Sequence, residues 1–261
     1  MKYIKHNKHN KYNKLNMFHK YQLDLIDNLF NELSKTTNFE NITNGRNGAV
    51  LVNNNNIIPI VRTTTKYNNP PQLFSPIHYN IIDKIKTTTN KLNLDFNNAL
   101  IEIYNNDYKS MGEHSDQALD LADNSYICLF SCYNNPLAKN IRTLKIKNKV
   151  TNETLEIELN HNSIVLFSLE TNSKHLHKII LDNHIINDNE WLGITFRLSK
   201  TFIKFINEIA YFNNTDIILK IASNDESKEF YKCRSLENKS INYVWHDIHY
   251  TINPSDLIII L

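Results

Sequence analysis

Apolar positions along the chain follow two rhythms. Between residues 21 and 35, Leu23, Leu25, Ile26, Leu29, Phe30 and Leu33 recur at the spacing of one helix face, so a helix is predicted there. Residues 41–56 are rich in turn formers and lead into a short predicted strand over 57–62. Pro70, Pro71 and Pro76 force an extended loop, after which a second helix is expected over 77–90. Beyond it the rhythm turns to alternation. Short β-type runs over 99–104, 126–133, 143–147, 155–159, 163–169, 177–181 and 192–198 follow one another, separated by Asn, Asp, Pro and Glu turns. Strands in succession without intervening helices pair antiparallel, so the expected fold class is mostly β with flanking helices (α+β), built on a jelly-roll core. A short helix over 201–210 and strands over 216–222 and 243–250 are expected to close the domain. The organisation expected is a basic, disordered arm over 1–20 and a single domain over 21–261, with its core at about 57–200 and an extension over 201–261.

The arm carries six lysines and no acid. Over the whole chain, however, 29 Lys and Arg stand against 27 Asp and Glu, a net +2, so no global field points to nucleic acid or an anionic surface. No apolar run approaches the ~18 residues of a bilayer span, so no membrane segment is expected. Three cysteines match no common zinc spacing, and the first residues lack the apolar stretch of a secretion signal. An intracellular, reduced protein, cytoplasmic or nuclear, is expected, with Cys128 and Cys132 packed within a strand. About one residue in six is Asn, and Lys outnumbers Arg 24 to 5, so surface Lys and Asn carry little information. Arg and Gly are scarce, and each is expected to have a reason: a planar fork for an anion, or a backbone approach that no Cβ permits.

The segment Met111-Gly112-Glu113-His114-Ser115-Asp116 follows the strand at 99–104. On an extended backbone residues i and i+2 share a face, so His114 and Asp116 can grip one ion side by side. The run Thr171-Asn172-Ser173-Lys174-His175-Leu176-His177 offers a third ligand, either His175 or His177, which alternation places on the same face. Two His and one carboxylate leave the opposite face of a metal open to a chelating cosubstrate and O₂, the arrangement of non-haem Fe(II) oxygenases. Arg197 lies on the next alternating strand. A guanidinium directed into a barrel needs an anion, and a dicarboxylate cosubstrate would supply one.

Taken together, these residues resemble a known family. The blocks Ala99-Leu100-Ile101-Glu102-Ile103-Tyr104, Met111-Gly112-Glu113-His114-Ser115-Asp116, Asn162-Ser163-Ile164-Val165-Leu166-Phe167, His177 and Gly193-Ile194-Thr195-Phe196-Arg197 look like the AlkB-like Fe(II)/2-oxoglutarate-dependent dioxygenases, over about residues 57–200. The resemblance implies a double-stranded β-helix with His114, Asp116 and His177 as the catalytic iron ligands, favouring His177 over His175. It implies Tyr104 and Arg197 on 2-oxoglutarate, and a substrate-covering lid at 57–62 and the Thr-rich loop holding Tyr67. The implied activity hydroxylates or demethylates a substrate with Fe(II), 2-oxoglutarate and O₂. An alkylated nucleic-acid base is the first candidate, supported by the basic arm, and a protein side chain or small molecule the next.

The chain departs from the family pattern at three places: Glu102 where Asn is usual, Trp191 where a second Arg is usual, and Ala118 where an acid often meets the base. Glu102 and Trp191 support a third reading, a jelly-roll module that binds without catalysing, while Ala118 supports a protein side chain or small molecule as substrate. Lys174 and Lys178 are candidates to replace the missing Arg. Arg62 and Arg142 are open between lid and surface roles, His161 and His184 read as exposed, and Trp191 and Trp245 read as core or edge aromatics.

Overall fold

The computed structural model describes residues 17–25, 29–54, 56–138, 141–181 and 189–260. The basic arm up to residue 16, and His184, lie outside them. The first half of the chain forms β1 (His19–Gln22), α1 (Leu29–Thr36), β2 (Glu40–Thr43), β3 (Arg46–Val52), β4 (Ile58–Pro59), β5 (Gln72–Leu73), α2 (Pro76–Thr89) and β6 (Asn98–Tyr104). There follow β7 (Tyr126–Tyr133), β8 (Thr143–Asn148), β9 (Thr154–Glu158), β10 (Ser163–Ser168), α3 (Leu169–Lys174), β11 (His175–Ile180) and β12 (Trp191–Arg197). The C-terminal part holds β13 (Phe202–Ile206), β14 (Ile209–Phe212), β15 (Lys220–Ile221), α4 (Asn224–Lys239) and β16 (Tyr250–Thr251). No helix among the described residues is long and apolar enough to cross a membrane.

The fold is mostly β, with large antiparallel sheets. One sheet runs in the order β1, β10, β7, β12, β6, β3, β2, and β5 joins it parallel to β3. A smaller sheet runs β11, β8, β9, and the segment 110–114 extends it through bridges from Ser110 to Ile180 and His114 to His177. From β6 to β12 the chain passes back and forth between the two sheets. Period-two alternation sorts the core accordingly. Cys128, Phe130 and Cys132 of β7 face the layer covered by Phe30 and Leu33 of α1 and Ile81 and Ile85 of α2. Ile127, Leu129 and Tyr133 of the same strand face Leu144 and Ile146 of β8, Ile157 of β9 and Ile179 of β11. The cysteine pair therefore packs in a strand.

Helix α2 begins where its sequence says it should. Pro76 occupies the first turn, where its missing N–H is no loss, and the His78 ring accepts from the Ser75 N–H at 2.9 Å. Asn90, at φ 53°, ends it. The helix expected over 21–35 is shorter, because the chain up to Gln22 instead pairs with β10, and the Leu23 N–H donates to the Asn162 carbonyl at 2.9 Å. Covering an open sheet edge prevails over local helical periodicity. The arm's last residues join this structure, with Phe18 buried against Phe167 and His175.

Other expectations change in similar ways. The turn-rich 41–56 is the hairpin β2–β3, turning at Asn44-Gly45 with Gly45 at φ +73°. The strand over 57–62 shrinks to β4, paired with β13. The short helix over 201–210 is the hairpin β13–β14, because Asn207 and Glu208 both take left-handed conformations (φ 49° and 67°) and β13 pairs on both sides. The closing strands reduce to the parallel pair β15 and β16, separated by α4. Within the extended loop over 70–76, Gln72 and Leu73 pair parallel with β3.

Candidate metal centre and its cavity

His114 and His177 meet because their backbones do. The His114 N–H donates to the His177 carbonyl at 3.0 Å and the His177 N–H returns a bond at 2.6 Å, a directly opposed cross-strand pair. Their rings lie 4.7 Å apart, and Asp116 falls on the same face two residues later. The Asp116 Oδ1 is 3.4 Å from His177 Nε2 and 3.9 Å from His114 Nε2. One ligand atom from each residue lies within 4.8 Å of the others, a set that fits a single metal ion. His175 lies apart: its Nδ1 bonds the Thr171 carbonyl at 2.8 Å and its Nε2 faces the Asn148 amide.

Two of the donors, His114 and Asp116, are held in the protonation state that a metal needs. Loss of water, then the neighbouring His177, lowers the His114 pKa to about 3, although a third of its side chain is exposed. The His114 Nδ1 pairs with the Gly112 carbonyl at 2.9 Å, which leaves Nε2 facing Asp116. Burial alone would raise Asp116; a hydrogen bond from His177 and the charge of Arg197 outweigh it and hold the carboxyl below its usual range.

Neighbouring residues pin Asp116 from two sides. The buried Asn172 amide clamps its backbone, accepting from the Asp116 N–H and donating to its carbonyl, both at 2.7 Å. Helix α4 holds the adjoining residues: the Glu237 Oε1 accepts from the Ala118 N–H at 2.9 Å, and the Asn238 Oδ1 accepts from the Ser115 N–H at 3.1 Å. The Arg234 guanidinium donates to Glu237 at 2.7 Å and to the Ser115 carbonyl. Lys149 ties in the end of the helix by donating to the carbonyls of Glu237 and Ser240.

His114, Asp116, His177, Arg234 and Asn238 line a cavity of about 350 Å³ between the sheets, with Thr63, Thr64 and Thr65 also in its wall. Arg197 is 3 % exposed, its Nη1 3.7 Å from the Asp116 Oδ2, while its Nε and Nη2 have no partner. Gln117, 4 % exposed, also lines the cavity with both amide atoms unpartnered. Tyr104 is not brought to this wall. It is fully buried, donates to Glu102 at 2.6 Å and packs against Trp191. Glu102 in turn accepts from Arg46 at 2.5 and 2.8 Å and from Tyr67 at 3.4 Å. Lys178 pairs with Glu113 and Lys174 with Glu170, and neither lines the cavity.

The scarce residues have the reasons expected of them, with one exception. Arg62 and Arg142 are buried rather than on the surface, Arg62 paired with Asp120 at 2.7 Å and Arg142 donating to the Asn105 and Tyr108 carbonyls. A Cβ at Gly193 would overlap the Trp191 ring, which lies against that glycine. Gly112 is the exception, with open space where a Cβ would stand. Trp191 is core, and Trp245 packs on Phe230 while donating to Glu237 at 2.9 Å.

No family model matches the chain, and no curated protein matches it. Among solved structures, one described as "The structure of OsALKBH1" is similar at 12% identity with a TM-score of 0.40, over 59% of this chain and 78% of that one. A likeness of that degree assigns no family.

Proposed function

We propose that the chain is an Fe(II)-dependent oxygenase of the 2-oxoglutarate type, built on a double-stranded β-helix, with His114, Asp116 and His177 as its iron ligands. The observation that carries the reading is the convergence of these three donors beside a buried guanidinium, Arg197, with two open hydrogen-bonding positions. The winding of β6 to β12 back and forth between two sheets supports the β-helix. His114, Asp116 and His177 would hold the iron, which with a 2-oxo acid and O₂ would supply the oxidising chemistry.

The protein's own part is positioning. Asn172 and α4 fix Asp116, the Gly112 carbonyl orients His114, and Arg197 receives the carboxylate beside the metal. Arg197 fits one carboxylate. A second carboxylate, such as the far end of 2-oxoglutarate, finds no free cation among the described wall residues, and Tyr104 is engaged by Glu102. For the substrate we propose an alkylated nucleic-acid base. Gln117 supports this, since its unpartnered donor and acceptor suit the hydrogen-bonding edge of a base.

Anaerobic addition of Fe(II) and a saturating 2-oxo acid, 2-oxoglutarate among those tried, is expected to produce a visible metal-to-ligand charge-transfer band that Asp116→Ala abolishes. Absence of any band in the wild type favours a binding module instead. Formaldehyde release from N-methylated oligonucleotides then tests the substrate.

A further inference from the structure

We infer that this cavity selects a 2-oxo acid bearing one carboxylate and an uncharged side chain, and that Trp191 and Glu102 are the residues that exclude a second carboxylate. The inference rests on the oxygenase reading above and concerns which cosubstrate that site takes. Three arginines reach the cavity wall: Arg46, Arg197 and Arg234. Arg46 is committed to Glu102 through Nε and Nη2, and Arg234 to Glu237 and the Ser115 carbonyl. Arg197 alone among these keeps two donor nitrogens without partners. Two adjacent N–H donors match the two oxygens of one carboxylate.

Away from Arg197, the inner face of β12 continues through Thr195 and Gly193 to Trp191. In register, Thr195 stands beside Leu100 and Gly193 beside Glu102. The Trp191 indole lies over Gly193, so the surface a ligand meets there is a hydroxyl, then an aromatic ring, then a carboxylate. Leu129, Ile127 and Phe167 supply much of the remaining wall. A second carboxylate would give up its water for a wall whose donors are neutral, the Thr195 hydroxyl and the unpartnered Trp191 Nε1–H, and lie near Glu102, with no cation in exchange. An aliphatic side chain in the same place gains from leaving water.

Binding decides the matter. The Fe(II)-loaded protein, kept anaerobic, is titrated with 2-oxoglutarate and with 4-methyl-2-oxopentanoate, and dissociation constants are read from the charge-transfer absorption. The branched monocarboxylate is expected to bind at least roughly tenfold more tightly. Glu102→Gln removes the competing carboxylate and releases Arg46, so it should tighten 2-oxoglutarate and narrow the gap. Equal or tighter binding of 2-oxoglutarate by the wild type overturns the selectivity while leaving the oxygenase reading in place. A band with neither acid, in protein shown to hold metal, overturns the oxygenase reading and the selectivity with it.

Discussion

Helix α4 lies outside the predicted core, yet it grips the segment of the candidate ligands His114 and Asp116 through Glu237. That carboxylate is 6 % exposed and serves three donors: the Ala118 N–H at 2.9 Å, the Trp245 Nε1–H at 2.9 Å and the Arg234 guanidinium at 2.7 Å. Glu237→Ala strands all of them and leaves a buried guanidinium unpaired, a loss of about 3 to 5 kcal/mol. In a chain of this size that lowers the melting temperature by roughly 10 °C. Because Ala118 stands two residues from Asp116, the same change should loosen the carboxylate and weaken cobalt(II) binding roughly 10- to 100-fold. Glu237→Gln keeps an oxygen for the Ala118 and Trp245 N–H groups and loses the acceptor and charge facing Arg234, so its metal affinity should fall much less. The assay is a cobalt(II) absorption titration at low temperature, where both variants remain folded by circular dichroism, alongside thermal melts. If Glu237→Ala melts early but binds cobalt as tightly as the wild type, α4 supports the fold without positioning the site.

Three further outcomes follow from the packing. Gly193→Ala drives a methyl into the Trp191 ring and should cost roughly 1 to 3 kcal/mol in urea denaturation, with a change in the near-ultraviolet tryptophan signal; an unchanged spectrum and midpoint contradicts the contact. Asp256 is buried and accepts from the Thr251 hydroxyl; burial, with Asp120 nearby, pushes its carboxyl up to about 7. Its folded value lies above its unfolded one, so its contribution to stability is full below pH ~4 and is lost as the pH rises through 7. Asp256→Asn should therefore melt above the wild type at pH 8 but not at pH 4, and a constant difference across that range refutes the shift. Cys128 and Cys132 are both fully buried, and burial pushes their thiols above the ordinary range. Neither should react with a thiol reagent until the protein is unfolded, which mass spectrometry of labelled peptides reads directly.

What the sequence reveals well is whatever is written in local chemistry. Strands β6 to β12 lie within two residues of the alternating runs, because alternation is the direct imprint of a sheet with two differently packed faces. The convergence of His114 and Asp116 with a histidine at 175 or 177 was legible from spacing and strand order, the choice of His177 came from the family resemblance, and the arginine argument extended even to Arg46 and Arg234, which pair with Glu102 and Glu237. Asparagine was the obstacle. At about one residue in six it loses its value as punctuation, so the Asn44-Gly45 hairpin and the turn at Asn207 were hidden among ordinary Asn. Helix α4 did leave a signal, the Ser223-x-x-Glu226 capping box, whose side chains pair with each other's backbone N–H. Its polar composition nevertheless offers little helical stripe, because Arg234 and Glu237, not aliphatic residues, form part of its buried face. The Asn172 clamp on Asp116 is a pairing 56 residues apart, and no local pattern announces it.

Whether three side chains hold one cation is the point on which the proposed chemistry stands. Isothermal titration of the purified protein with cobalt(II), repeated on His114→Ala, Asp116→Ala, His177→Ala and His175→Ala, measures it without assuming any substrate. The wild type and His175→Ala should bind one equivalent with similar affinity, and each of the other three should lose most of that binding. A wild type that binds no metal, or a His177→Ala variant that binds it unchanged while His175→Ala does not, contradicts the assignment.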